Sequence, residues 1–337
     1  MNAANAVLAA MFVGLTAYAL FAGADYGGGL WDLVSGGTEQ GMPSRRLIER
    51  SIGPVWEANH VWLIFVLVVL WTGFPPAFAA FASTLYIPLT LAALGMIARG
   101  SAFAFRHSVA SFGLRRAFGA CFAFSSVVTP FFLGAIVGGI ASGRVPPGIA
   151  QGNVITSWLN PTSVLAGLLA VAVCAYLSGV YLCADARRHG EPDLAETFRR
   201  RALVAAVGTG LLAAVGIVVL RADAPALFHG LTHRALPLMV LSAAAGLTTV
   251  VLVAQRRYAP ARGAAAIAVI AVLWGWAVAQ YPYLLPEYLT VAQGAAGPAT
   301  LHAMLVSLAI GAALLVPSLV YLYVLFQRGP AEVTGRK

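Results

Sequence analysis

Charge is what this chain has least of. Only 10% of its 337 residues are charged, and its single lysine is the final residue, Lys337. Globular domains carry about 25% charged residues, so the shortage excludes an ordinary soluble protein. Cysteine is equally scarce. Cys121, Cys174 and Cys183 lie in apolar runs with no paired spacing and no C-x-x-C, which speaks against a disulfide framework or a zinc site and for small buried hydrophobes. Alternating ten-residue strands are missing, which removes a membrane β-barrel. The first run, Ala6 to Gly23, lacks a basic n-region and a clean cleavage site, so no cleavable signal peptide is expected.

What remains is apolar. Hydrophobic residues make up 60% of the chain, and the mean hydropathy is +0.84. Nine segments reach the roughly 20 residues a bilayer crossing needs: about 5–23, 55–73, 77–98, 117–141, 162–184, 203–220, 236–254, 264–281 and 302–326. The second and third are one long uncharged run divided at Gly73-Phe74-Pro75-Pro76, because paired prolines cannot continue helical bonding. The expected fold is an all-α polytopic membrane protein, one integral domain of nine transmembrane helices. Stretch 185–202, rich in charge, reads as a solvated connector.

The net charge of +9 is distributed as membrane loops distribute it, not as a nucleic-acid groove would. Counting crossings, 18 of the 21 basic residues fall on one side, in the groups Arg45–Arg50, Arg99–Arg116, Arg187–Arg201, Arg256–Arg262 and Arg328–Lys337. Arg144, Arg221 and Arg234 fall on the other. The bias places the N-terminus outside and the C-terminus in the cytoplasm. Trp71, Trp274, Trp276, Tyr281 and Tyr283 then mark the outer interface, and Tyr321 and Tyr323 the inner one. A short echo, Tyr18 to Asp25 against Tyr181 to Asp185, hints at two parallel four-helix bundles with the ninth helix peripheral.

Against this background the few polar residues inside apolar runs stand out. The densest group is Gly53-Pro-Val-Trp-Glu-Ala-Asn-His-Val-Trp62, where Glu57 and His60 share a helix face flanked by Trp56 and Asn59. No Asp, Glu, Lys or Arg follows Glu57 until Arg99. An ionisable residue in such a run is costly and marks a functional site by default, although a headgroup-solvated Glu57 is the blander alternative. Asp25 closes the first run and is followed by Gly27, Gly28 and Gly29, which would admit another helix or a quinone ring close to the backbone, or simply form a flexible helix exit. A phosphate-binding loop is the poorer reading, since no strand precedes it and the Walker lysine is missing. Arg99 and Arg106, seven apart, would face one way on a helix and form a polar cluster with Asp25 and Glu57, or snorkel to headgroups. His60 and His302 are the histidines within crossings. They are better read as hydrogen-bonded structural residues than as axial haem ligands. His229 and His233 lack a third metal ligand.

Taken together, these motifs resemble subunit II of cytochrome bd-type quinol oxidase. The resemblance rests on Ala24-Asp-Tyr-Gly-Gly-Gly-Leu30, Ile52 to Leu63, Arg99-Gly-Ser-Ala-Phe-Ala-Phe-Arg106, Leu159-Asn-Pro161, Tyr281-Pro-Tyr-Leu-Leu-Pro286 and Leu315-Val-Pro317. It implies a chain of the bacterial inner membrane with no haem ligands or metal of its own. Such a chain packs against a haem-bearing subunit I that oxidises quinol and reduces oxygen to water. It further implies acids at Asp25 and Glu57 on a cytoplasmic proton pathway, room for a bound quinone, contact with lipid, and room for a small single-helix accessory subunit. Two features depart from the family: Glu57 stands where well-studied members have Asp, and His60 where a neutral amide is common. An ion-coupled secondary transporter is the alternative from another class, and a purely structural scaffold the blandest one.

Overall fold

The structure, a computed structural model, describes residues 2–36, 41–52, 56–106, 109 and 111–327, without the side chains of 52, 56–58, 106, 112, 316, 319, 320 and 322–327. The elements in chain order are α1 (Ala3–Leu33), α2 (Met42–Ile52), α3 (Trp56–Gly73), α4 (Pro75–Thr84), α5 (Tyr86–Arg106), α6 (Phe112–Ala141) and α7 (Pro161–Arg188). They continue with α8 (Pro192–Asp223), α9 (Pro225–Thr232), α10 (Leu236–Ala254), α11 (Tyr258–Gln280), β1 (Tyr283–Leu285), β2 (Leu289–Thr290), α12 (Val291–Gly294) and α13 (Pro298–Gln327). The strands form one antiparallel hairpin pairing Tyr283 with Thr290 and Leu285 with Leu289.

Local chemistry sets these boundaries. Pro75, Pro161, Pro192, Pro225 and Pro298 are each the first residue of a helix, where a missing N–H costs nothing. Asn2 and Asn160 cap α1 and α7 by accepting from the N–H of Asn5 and Ser163, both at 2.9 Å. Pro130 and Pro317 sit inside α6 and α13 without ending them, as membrane helices allow.

Among the described residues eight helices are long and apolar enough to cross a bilayer unaided, and the bent pair α3–α4 supplies a ninth when counted as one span. This is a multi-pass membrane protein. Three expectations need correction. The crossing expected over 77–98 breaks after Thr84: α4 is ten residues long and bent by 118° from α3, and the crossing helix is α5. The first helix does not end at Asp25 but continues to Leu33, because its glycines are packed rather than loose. The stretch 185–202 is exposed over much of its length, as expected, but is mostly helix rather than connector. α7 runs to Arg188, α8 starts at Pro192, and only His189 to Glu191 lie between them.

α1 and α7 are the hub. α1 packs on α3, α6, α7, α11 and α13, and α7 on α1, α6, α8 and α11. Around α7, Leu177, Val180 and Cys183 meet Phe198 and Ala202 of α8, with Ala261 and Ala265 of α11. At the opposite end of α1, Val7 packs with Phe74, Val291 and Leu301. α8 and α13 leave most of their apolar surface open, Val204, Leu211, Val218 and Leu314 among it.

Candidate functional site

The site is built on α1 where its C-terminal third crosses α5 and α6. Asp25 is 3% exposed and Arg99 1%. Arg99 reaches from α5 to make a bidentate pair, Nη2 to Oδ1 at 2.7 Å and Nη1 to Oδ2 at 3.1 Å. Its Nη2 also donates to the Asp25 carbonyl at 3.3 Å, and its Nε to Ser126 Oγ on α6 at 2.9 Å. The guanidinium carbon lies 4.9 Å from the centre of the Tyr26 ring and 4.7 Å from that of Phe122. A planar cation is thus held by acid, hydroxyl and two ring faces, the set of partners that a desolvated guanidinium requires.

The glycines make this approach possible. A Cβ at Gly27 would collide with the Cys174 carbonyl of α7, and one at Gly29 with the Ser126 side chain of α6. Backbone therefore meets helix directly, as small residues permit between membrane helices. Gly27, Gly28 and Gly29 are all buried, and the space a ring would take beside Gly27 and Gly29 is filled by the chain itself.

On the α3 side, Tyr26 meets His60 edge-on with ring centroids 6.3 Å apart. The Tyr26 and Tyr18 hydroxyls lie 3.4 Å apart. Asn59 Nδ2 donates to the Phe21 carbonyl at 3.4 Å, tying α3 to α1. His60 Nδ1 is buried and has no hydrogen-bond partner among the described residues, which departs from the expected hydrogen-bonded structural histidine. Trp56 and Glu57 lie in α3 and Arg106 ends α5, but their side chains fall outside the described residues. The structure therefore joins Asp25 with Arg99 and places His60 beside Tyr26.

The other histidines lie apart. His302 is exposed near the start of α13. That start lies by Gly73, whose added Cβ would touch Met304. His60 is thirteen residues back along α3, roughly 20 Å at the helical rise, so the two histidines cannot ligate one haem. His229 and His233 stack at 4.0 Å on an exposed turn. Among the described residues no group of three metal-ligating side chains forms.

Several contributors escaped the sequence reading. Tyr18, Tyr26, Ser126 and Phe122 complete the site, and of these only Ser126, one of a serine pair inside an apolar run, carries a visible polar signal. Further arginine–aspartate pairs join Arg45 to Asp32, Nε to Oδ1 at 2.6 Å, and Arg144 to Asp223, Nη2 to Oδ1 at 2.6 Å. Asp223 also accepts from the Thr162 N–H at 3.1 Å and hydroxyl at 2.6 Å.

Fold and site define a class: a polytopic helical membrane protein with a dry arginine–carboxylate pair beside a tyrosine–histidine cluster. The family follows from comparison. Residues 4–326 match the family model for cytochrome bd terminal oxidase subunit II, and the chain belongs to that family. It is 22% identical, over 92% of both chains, to the putative cytochrome bd menaquinol oxidase subunit II of Bacillus subtilis. It is 28% identical to that organism's cytochrome bd ubiquinol oxidase subunit 2 across 50% of this chain and 48% of the relative. To the cytochrome bd-I ubiquinol oxidase subunit 2 of Escherichia coli it is 26% identical, with 45% of that relative covered. The chain thus spans about half the length of the last two relatives. Among solved structures it is similar to a chain of the bd oxidase from Geobacillus thermodenitrificans, with TM-score 0.77, 26% identity, and coverage of 97% of this chain and 99% of that one. Membership decides against the transporter reading.

Proposed function

We propose that this chain is the non-haem subunit of a bacterial inner-membrane complex that oxidises quinol and reduces oxygen to water, with haem carried by subunit I. Its N-terminus is outside and its C-terminus cytoplasmic, as the arginine bias requires. Two four-helix bundles, α1/α3/α5/α6 and α7/α8/α10/α11, with α13 outside them, accord with α7, α8, α10 and α11 packing as a ring of neighbours. The apolar faces left open on α8 and α13 suit lipid and partner chains, a single-helix accessory subunit included. Since α7 and α6 occupy the faces of Gly27 and Gly29, a quinone held by this chain would have to bind elsewhere.

The observation that carries the reading is the sequestered Asp25–Arg99 pair. A pair this dry adds little net stability over an apolar contact, so its retention inside a membrane points to use. Oxygen reduction consumes protons, and polar groups on α1 and α3 toward the cytoplasmic side would give them a route. Asp25, paired with Arg99, and Asn59, which donates to the Phe21 carbonyl, keep that region polar, and Arg106, the last residue of α5, is assigned to the same cluster. Glu57, one turn before His60 on α3, is the carboxylate that gathers protons at the rim. In the assembled complex, Glu57→Gln is expected to slow quinol-dependent oxygen uptake at least tenfold while leaving the haem spectrum intact. Unchanged uptake removes Glu57 from the route.

A further inference from the structure

Asp25 is poorly placed to pick up and release protons. Both carboxylate oxygens are engaged by one guanidinium, at 2.7 and 3.1 Å, and protonating it would strand Arg99 as an unpaired buried cation, which is costly. Another group must do the carrying, and His60 has the right construction. Its residue is half-buried, yet Nδ1 is shut in and unpartnered among the described residues. What exposure the residue has therefore lies elsewhere than at Nδ1. The ring sits on α3 against the edge of Tyr26, whose hydroxyl lies 3.4 Å from that of Tyr18 and whose face is covered by Arg99. A buried imidazole nitrogen without a partner is uncommon, since buried polar atoms are normally satisfied. Water is the natural partner for such an atom where there is room for it.

We infer that His60 is the proton-carrying residue between the α3 surface and the Tyr18–Tyr26 hydroxyls, with Asp25–Arg99 a fixed pair that positions Tyr26. This deepens the proton route proposed above and rests on it. The step balances without a further reactant. The outer nitrogen accepts a proton from water or from Glu57, giving an imidazolium. Nδ1 then releases its proton to a water on the side of the tyrosine hydroxyls, which leaves the neutral ring protonated on the outer nitrogen, and a ring turn or tautomer exchange restores the starting tautomer. One proton moves inward and no electrons move. The charged groups that bear on the ring are Arg99 on α5 and Asp25 on α1, and Tyr26 of α1 lies at its edge. His60 is the member of this set whose ordinary titration range falls near neutral pH.

The test uses the purified complex of this chain with its haem subunit, comparing wild type, His60→Gln and His60→Phe. Quinol-dependent oxygen uptake is read across pH 5.5 to 8.5, with the haem spectrum as the measure of assembly. Expected is a loss of uptake of tenfold or more in both variants at unchanged haem content, disappearance of a near-neutral ionisation from the rate profile, and partial recovery of His60→Phe in added imidazole. His60→Gln keeps size and hydrogen bonding but cannot titrate, so it decides the matter even where His60→Phe fails to assemble. Wild-type rate and pH profile in His60→Gln overturn the inference. A wild-type complex that takes up no oxygen with quinol overturns the function reading instead.

Discussion

Two of the arginine–aspartate pairs, Asp25–Arg99 and Arg144–Asp223, lie toward opposite ends of the helix array and differ in what surrounds them. Asp25 and Arg99 lie on α1 and α5, which run in the same direction, and both side chains are 2% exposed. Arg144 and Asp223 follow α6 and close α8, which run the other way, with side chains 34% and 13% exposed. The second pair has an evident structural task, since Asp223 also holds the first turn of α7 through Thr162 and so ties three helix ends together. The first ties no helix end. It is surrounded by Ser126, Tyr26 and Phe122, groups that satisfy the guanidinium and serve no capping purpose. Similar chemistry is thus used as a staple at one end and as a sequestered charge at the other.

The largest effect should come from splitting the dry pair. Arg99→Met leaves the Asp25 carboxylate buried and alone, a change that costs about 3–5 kcal/mol. Little of the chain should then survive purification with its partner, as haem per subunit will show. Adding Asp25→Leu removes the orphan charge and should recover much of the assembly, because an apolar pair of similar volume is about as stable. Oxygen uptake should not recover with it. Recovery of both would make Asp25–Arg99 a staple like its counterpart.

Asp223→Ala should cost less, about 1–2 kcal/mol, through lost hydrogen bonds to Arg144 and Thr162 at a partly wet site. A lower thermal midpoint of the detergent-solubilised complex, with turnover per intact complex unchanged, is the expected result. A turnover defect at full assembly would bring the two ends of the molecule into one functional class.

That contrast was half legible in the sequence. Asp25 and Arg99 stand out because they interrupt apolar runs, and charge in such a place has few innocent explanations. Tyr18 and Phe122 do not stand out, since aromatics are ordinary inside membrane helices; Ser126 does so only as one of a serine pair, and packing alone selects the groups beside Arg99. The crossings were legible to the extent that hydropathy follows helices. α10, apolar throughout, has the bounds its composition implies. α1, α7 and α8 run past their apolar runs, because a helix does not end where it leaves the oil. It ends at a cap or a proline, as at Pro192. The 118° bend after α3 was visible as a break at Pro75-Pro76, but not as a change of direction followed by a second break near Leu85.

The smallest effect sharpens the comparison from the other side. Asp185 and Arg262 echo the first pair in sequence position, Asp185 closing a Tyr-to-Asp stretch as Asp25 does. Yet they meet at only 3.4 Å with side chains 19% and 39% exposed. Arg262 also covers a tyrosine ring, that of Tyr181, at 4.9 Å, so the ingredients match and the solvent does not. An ion pair in contact with water contributes about 0–1 kcal/mol, and water competes for both partners. Asp185→Asn should therefore leave thermal midpoint, haem content and oxygen uptake near wild type, with any loss of stability disappearing in high salt. A defect approaching that of Arg99→Met would mean that the echo between the two halves is functional, and that dryness is not what separates a working charge from a surface one.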